Sequence, residues 1–243
     1  MSNPILNSNF GAGEHILEAE PMTISGTVNK TLILSVFLTI GAACNWHFIA
    51  AGFIDKASML VTAGAIIGLI LAIIISFNVK MAKYLSPIYA IMEGLCLGGI
   101  SAMFEAQYSG IVFQTIGATV TTLIAMLFLY RTGTIRYTEK MGSILKTAML
   151  SILIIYLIQF VASFFSRGIP LIFGNGPVGI LFSAFVCLVA AFCLIQDFYF
   201  IETGAERMLP KDFEWYGAFG LMVTLVWLYM EFLRLFAKLN SRR

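Results

Sequence analysis

The sequence predicts an all-α protein, a polytopic membrane helical bundle with seven transmembrane helices. Of its 243 residues 59% are hydrophobic and only 12% charged, with a mean hydropathy of +0.90, against about a half and a quarter in soluble domains. The 15 basic and 13 acidic residues fall mostly in short clusters, leaving uncharged stretches at 31–54, 57–79, 106–130, 147–166 and 168–196. A helix rising about 1.5 Å per residue crosses a hydrocarbon core of about 30 Å in roughly 20 residues, so each stretch is long enough to span a bilayer.

Taken in order, residues 1–27 carry Glu14, Glu18 and Glu20 without a basic segment leading into an apolar core. They are expected to form a polar N-terminal tail and neither a signal nor a transit peptide, followed by a seven-helix transmembrane domain over 28–243. Apolar runs and breakers place the spans at about 31–51, 58–77, 86–104, 110–130, 147–166, 178–200 and 216–235. Pro87 is expected in the first turn of the third span, where a missing N–H does no harm. Gly174-Asn-Gly-Pro177 and Leu209-Pro-Lys-Asp212 provide turn chemistry ahead of the sixth and seventh. Glu93 and Glu231 interrupt the third and seventh. A mid-helix acid costs insertion about 2.5–3.5 kcal/mol and a leucine returns only about half a kcal/mol, so these two spans should insert beside others. Gly64-x-x-x-Gly68 and Gly94-x-x-x-Gly98 allow close helix approach.

Lysines and arginines give the sidedness. The loops after the second, fourth and sixth spans hold eight of them (Lys80, Lys83, Arg131, Arg136, Lys140, Lys146, Arg207, Lys211), and the opposite loops only Lys56 and Arg167. Basic loops stay in the cytoplasm, so the N-terminus is expected inside and, after seven spans, the C-terminus outside. Arg234, Lys238, Arg242 and Arg243 then lie on the wrong side of the rule, which keeps a six-span-plus-re-entrant arrangement as the alternative.

Several function classes are excluded. A formal net charge of +2 without a basic run interleaved with aromatics argues against nucleic acid. His47 is the one histidine in a span, GxSxG is absent, no two aspartates face each other and no phosphate-binding glycine loop occurs, so neither an enzyme nor a cofactor is expected. Cys44, Cys96, Cys187 and Cys193 lie in apolar stretches without ligand spacing and read as packing residues.

Ionisable groups at lipid depth persist only where protein, water or an ion compensates them. The acids here are Glu93, Asp197 and Glu231. Asp197, about one turn from the end of the sixth span, shares a face with Cys193, Ala190 and Ser183, small residues that suit packing against another helix. In the seventh span Gly217, Gly220, Thr224, Trp227 and Glu231 recur at intervals of three and four, one stripe with an opposite face that reads as lipid-facing. Thr224 is placed about 12 Å from the start of that span. Arg234 follows Glu231 by three residues, so an intrahelical ion pair and a place on an ion pathway are both open for Glu231.

Gln196-Asp-Phe-Tyr-Phe-Ile-Glu202, Tyr89-Ala-Ile-Met-Glu-Gly-Leu-Cys-Leu-Gly-Gly-Ile-Ser101, and Glu214-Trp-Tyr-Gly-Ala-Phe-Gly220 leading to Trp227-Leu-Tyr-Met-Glu-Phe-Leu-Arg-Leu235 resemble the Bax inhibitor-1/YccA family. Met22-Thr-Ile-Ser-Gly-Thr-Val-Asn-Lys30 is similar to the opening motif of its bacterial branch with an extended N-terminal tail. The resemblance runs from about residue 20 through nearly the whole chain. It implies seven helices with the last one central, a bacterial inner-membrane location, and a pH-sensitive calcium leak gated by two aspartates, one in each of the last two helices. Asp197 matches the first; Thr224 stands at the second and cannot titrate. The expected gate is therefore Asp197 with Thr224 as hydrogen-bonding partner, and Glu93 and Glu231 are pathway acids. No metal set is assigned, though a weak Ca²⁺ site near Asp197 and Glu93 is entertained, since hard cations want several oxygen ligands. Expected partners are the lipid bilayer and Ca²⁺ or H⁺. The alternative function that the resemblance allows is a non-conducting stress regulator that binds a membrane protease or other membrane proteins.

Cysteine-accessibility labelling at positions near Lys140 and Arg243 is expected to report opposite sides of the membrane; two cytoplasmic positions would exclude the seven-span orientation.

Overall fold

The computed structural model describes residues 20–165 and 170–242; the expectations for most of the N-terminal tail, Arg167 and Arg243 lie outside them. The helices are α1 (Ile24–Ala50), α2 (Ile54–Phe77), α3 (Ala82–Gln107), α4 (Ile111–Arg131), α5 (Glu139–Phe164), the short α6 (Pro170–Phe173), α7 (Pro177–Glu206) and α8 (Asp212–Asn240). Seven of them are long and apolar enough to cross a membrane, α8 among them. The structure is thus a seven-helix membrane bundle.

The span limits read from charge are too short. Helices continue beyond the hydrocarbon as long as their polar ends reach water or a partner, so α7 runs to Glu206 and α8 begins at Asp212. Asp197 is therefore nine residues, about 13 Å, from the end of α7, and Thr224 twelve residues, about 18 Å, into α8. Likewise α1 starts at Ile24, inside the expected tail. Pro87 is the second departure. A 3₁₀ turn over Val79–Met81 runs directly into α3, so Pro87 sits inside the helix and removes the N–H that would bond Lys83.

Helix α8 occupies the middle of the bundle, packed against α1, α3, α4 and α7. The face expected to meet lipid is covered. Ala218, Met222 and Val226 pack with Leu34 and Leu97 of α1 and α3, while Leu221 and Leu228 join Leu194, Ile195 and Met126 of α7 and α4. Lipid is met instead by the outer helices, whose Leu32, Leu69, Phe113 and Phe160 are each at least 60% exposed. The apolar side of α8 was misread because hydrocarbon and a neighbouring helix select the same side chains.

Glycines set the closest contacts. A Cβ on Gly98 would lie 2.2 Å from the Ala42 carbonyl oxygen of α1, and one on Gly64 2.5 Å from that of Met92 in α3. The three helices can touch backbone to backbone only while these positions lack side chains.

A clamp fixes the chain entry. Met22 N–H donates to Leu209 O at 2.7 Å, and the buried Met22 side chain joins Ile201, Leu209 and Phe213. Thr23 caps α1 by accepting from Gly26 N–H at 2.9 Å and donates its own hydroxyl to Glu214 at 2.9 Å. Glu214, 2% exposed, also accepts from Thr23 N–H and pairs with Lys30. Gly26 is obligatory beside it, since a Cβ would fall 2.2 Å from the Glu214 carboxylate. The opening motif Met22–Lys30 thus acts as a dock for the first turn of α8.

Three of the four cations that depart from the expected sidedness are tied to the protein. Arg234 donates to Glu231, Lys238 to Ser183 and two backbone carbonyls, and Arg242 to Asn175 O. Their placement follows internal acceptors and not only the sidedness signal.

Gly98→Ala is expected to destabilise the bundle by about 1–3 kcal/mol through overpacking, whereas Gly117→Ala, at a glycine with nothing within 4 Å, should be neutral; equal thermal unfolding midpoints for the two variants would contradict the α1–α3 contact.

Candidate functional site

Two polar sites lie along α8, one toward each end. The first is a cleft of about 370 Å³ between α2, α7 and α8. Asp197 and Gln196 enter it from α7, Ala72 and Ser76 from α2, and Gly217 and Gly220 from α8. Nothing lies within 4 Å of where a Cβ on Gly220 would stand, so that glycine opens the cleft beside the carboxylate. Thr224 stands beside Asp197, and its hydroxyl donates to Gly220 O at 3.3 Å.

Asp197 Oδ2 and Gln196 Oε1 are buried and have no hydrogen-bond partner in the protein. Buried acceptors of this kind are rare, because each forfeits its interaction with water. Both belong to residues that line the cleft. The face carrying Cys193, Ala190 and Ser183 is buried, as the small-residue pattern predicts.

The second site surrounds Glu231, which is 1% exposed. Tyr156 of α5 reaches both its oxygens at 2.9 Å, Trp227 Nε1 donates to Oε1 at 3.2 Å, and Arg234 Nη1 donates to Oε1 at 3.0 Å. The Arg234 guanidinium also lies over the Tyr156 ring, 5.0 Å from its centroid. The carboxylate is thus neutralised and hydrogen-bonded on both oxygens, by α5 as well as by its own helix.

Glu93 joins neither group. It faces Gly68 of α2, where a Cβ would come within 3.0 Å of its Oε2, and it is not among the residues lining the Asp197 cleft. Tyr89 and Phe219, edge to face at 5.0 Å, stand between the two surroundings: Tyr89 touches the Gly68 side and Phe219 lines the cleft. Gly68, Ala72 and Ser76 nevertheless follow one face of α2. Among the described residues no group of three or more His, Cys, Asp or Glu could hold a metal ion.

Between the two sites α8 is closed. Trp227 packs with Val186, Val189 and Cys193 of α7, and Leu228 is fully buried among Ala190, Ala191 and Leu194. The cleft is therefore a blind vestibule in this conformation. A larger cavity, about 680 Å³ and lined by α1, α3, α4 and α8, is almost wholly apolar and holds no acid.

Gln196, Tyr156, Lys30 and Glu214 escaped the sequence reading. Gln196 is adjacent to Asp197, and Tyr156 is a hydroxyl in an otherwise apolar run, so each carried a faint signal. Which helix faces which was needed to make them partners.

A seven-helix bundle wrapped around its last helix, with an aspartate on the neighbouring helix facing it, defines a class of integral membrane protein. The family model described as Bax inhibitor 1 like matches residues 3–241, nearly the whole chain, and the protein belongs to that family. No curated protein matches the chain.

The pair Glu231–Arg234 is asymmetric: Arg234 is 39% exposed and Glu231 1%. Arg234→Gln strands a carboxylate inside the protein and is expected to cost about 3–5 kcal/mol. Glu231→Gln leaves a guanidinium that reaches solvent and should cost clearly less, with the double variant milder than the sum. Equal and additive losses in thermal unfolding would show the pair to be uncoupled.

Proposed function

We propose that the protein is a pH-sensitive leak for cations, Ca²⁺ among them, in the bacterial inner membrane, with its N-terminus in the cytoplasm. The observation that carries this reading is the cleft at Asp197: a carboxylate with one unpartnered oxygen, set beside an unpartnered amide oxygen and an open glycine position. Oxygen acceptors without internal donors suit a hard cation that keeps part of its water. The site has few protein ligands, so binding is weak and release fast, as conduction requires.

Asp197 is the pH sensor in this reading. Ionised, it attracts a cation into the vestibule; protonated, it becomes a hydrogen-bond donor and the attraction is gone. Thr224 can accept from the protonated form or donate to the charged one, so it steadies both states without titrating. Conduction further requires that the Trp227–Leu228 barrier be displaced, and the asymmetric hold on α8 by α5 through Tyr156 is where such movement would be resisted. Glu93 lies along the α2 face that leads to the cleft and has the weaker claim to the path.

One observation favours the other reading, a non-conducting regulator that binds a membrane protease or another membrane protein: Glu231 is already matched by three donors, which suits a structural pin better than a pathway acid.

Purified protein in liposomes loaded with a Ca²⁺ indicator decides between them. Leakage is expected to fall as pH drops and Asp197 gains its proton. Asp197→Asn fixes the neutral form with nearly the same shape, so its leakage should stay at the acid limit of the wild type at every pH. A wild-type pH profile in that variant would remove Asp197 from the gate, and absence of flux from folded wild type at all pH values would favour the regulator.

Filling the cleft is a separate test. Gly220→Leu places a side chain into the open space and is expected to lower leakage severalfold while leaving the unfolding free energy within about 0.5 kcal/mol of wild type; unchanged flux would show that the ions do not pass this cleft.

A further inference from the structure

A pocket of about 240 Å³ opens at the other end of the bundle, between the last turns of α3 and α8, α5 and the segment that precedes α7. It is many times the roughly 10–15 Å³ that one water requires. Its lining includes Arg234 and Lys238 together with the neutral polar residues Gln107, Asn175 and Ser183. No acid lines it.

The charges around it do not cancel. Arg234 is matched by Glu231, but Lys238, only 9% exposed, donates to Gly179 O at 3.0 Å, Ser183 Oγ at 2.9 Å and Ile172 O at 3.3 Å, all uncharged. Among the described residues no carboxylate makes an ion pair with it. Glu105, on the neighbouring turn of α3, is engaged by Gly110 N–H at 2.6 Å and Val112 N–H at 3.0 Å, where it caps α4. The carbonyl end of α8 offers Lys238 partial compensation, yet the positive N-terminal end of α7 lies against the same ammonium through Gly179. Arg242 adds a further cation beside Asn175. A buried ammonium among neutral acceptors is expensive, and an external anion offsets it.

We infer that this pocket binds an anionic group, a phosphate or carboxylate, held by Lys238 and by the free donors of Arg234. The guanidinium has five N–H groups and the contact with Glu231 uses Nη1; stacking on Tyr156 holds the fork in place. Gln107 and Asn175 supply neutral amides for the rest of the ligand. The group can arrive on a lipid headgroup, since the pocket lies at a bundle end, or on a soluble anion. The site is distinct from the Asp197 cleft, which is separated from it by the Trp227–Leu228 barrier, and it does not depend on ion conduction.

The test uses the full chain and two probes. Thermal unfolding in detergent is compared in inorganic phosphate and in chloride at equal ionic strength, and retention of phosphatidylglycerol against phosphatidylcholine is measured by native mass spectrometry. Wild type is expected to gain about 2–4 °C in phosphate or to retain phosphatidylglycerol at least fivefold over phosphatidylcholine. A response to lipid alone assigns the headgroup as the source, and to phosphate alone a soluble anion; both responses show a site open to either. Lys238→Met should abolish the response. Asn175→Asp and Gln107→Glu, at exposed and nearly isosteric positions, place a negative charge in the pocket without disturbing the core and should weaken it at least fivefold. No response to either probe in wild type, or a response unchanged in both acidic variants, would overturn the assignment.

Discussion

Every polar atom that α8 carries into the bundle has to be met by another part of the protein, because hydrocarbon offers no hydrogen bonds. This constraint shapes the molecule. Glu214 at the start of α8 draws in Thr23 and Lys30 of α1, Thr224 meets Asp197 of α7, Glu231 takes Tyr156 of α5, and Lys238 reaches Ser183 and the turn before α7. Four polar positions thus hold three different helices in register around one axis. Apolar packing fills the spaces between them, but it is equally satisfied by lipid and cannot by itself choose the centre.

The four contacts are not equivalent. Glu231 and Glu214 are satisfied by several donors and rigidify what they touch, whereas Asp197 keeps an unpartnered oxygen at a cleft. A saturated network resists change in protonation; a half-satisfied one responds to it. That contrast, more than the mere presence of an acid, separates the pins of the bundle from the position suited to sensing pH or cations.

Much of this was legible in the chain. Charge-free runs revealed five of the seven crossing helices, apolar runs interrupted by Glu93 and Glu231 the other two, and small residues at spacings of three and four placed Asp197 on a face that is packed. The helix ends were not legible, since Glu202 and Glu214 mark where charge begins and the helices go on past them, to Glu206 and back to Asp212, while their ends are wet. Nor was the position of α8: Leu221, Met222 and Leu228 look the same whether they touch lipid or leucine. Partners such as Tyr156 and Glu231, 75 residues apart, depend on which helices adjoin, and periodicity along one helix carries no such information.

Of the seven crossing helices described, the central one is made last. During synthesis the first six crossing helices enter the bilayer with Asp197, Tyr156 and Ser183 lacking the groups they will meet, and a place for α8 must stay open or be filled by lipid. Arg234, Lys238 and Arg242 arrive with α8, and acceptors for them exist only where the earlier helices have already gathered. Assembly is therefore obliged to end with its keystone. A chain released before residue 212 holds six membrane-soluble helices and no centre around which to close.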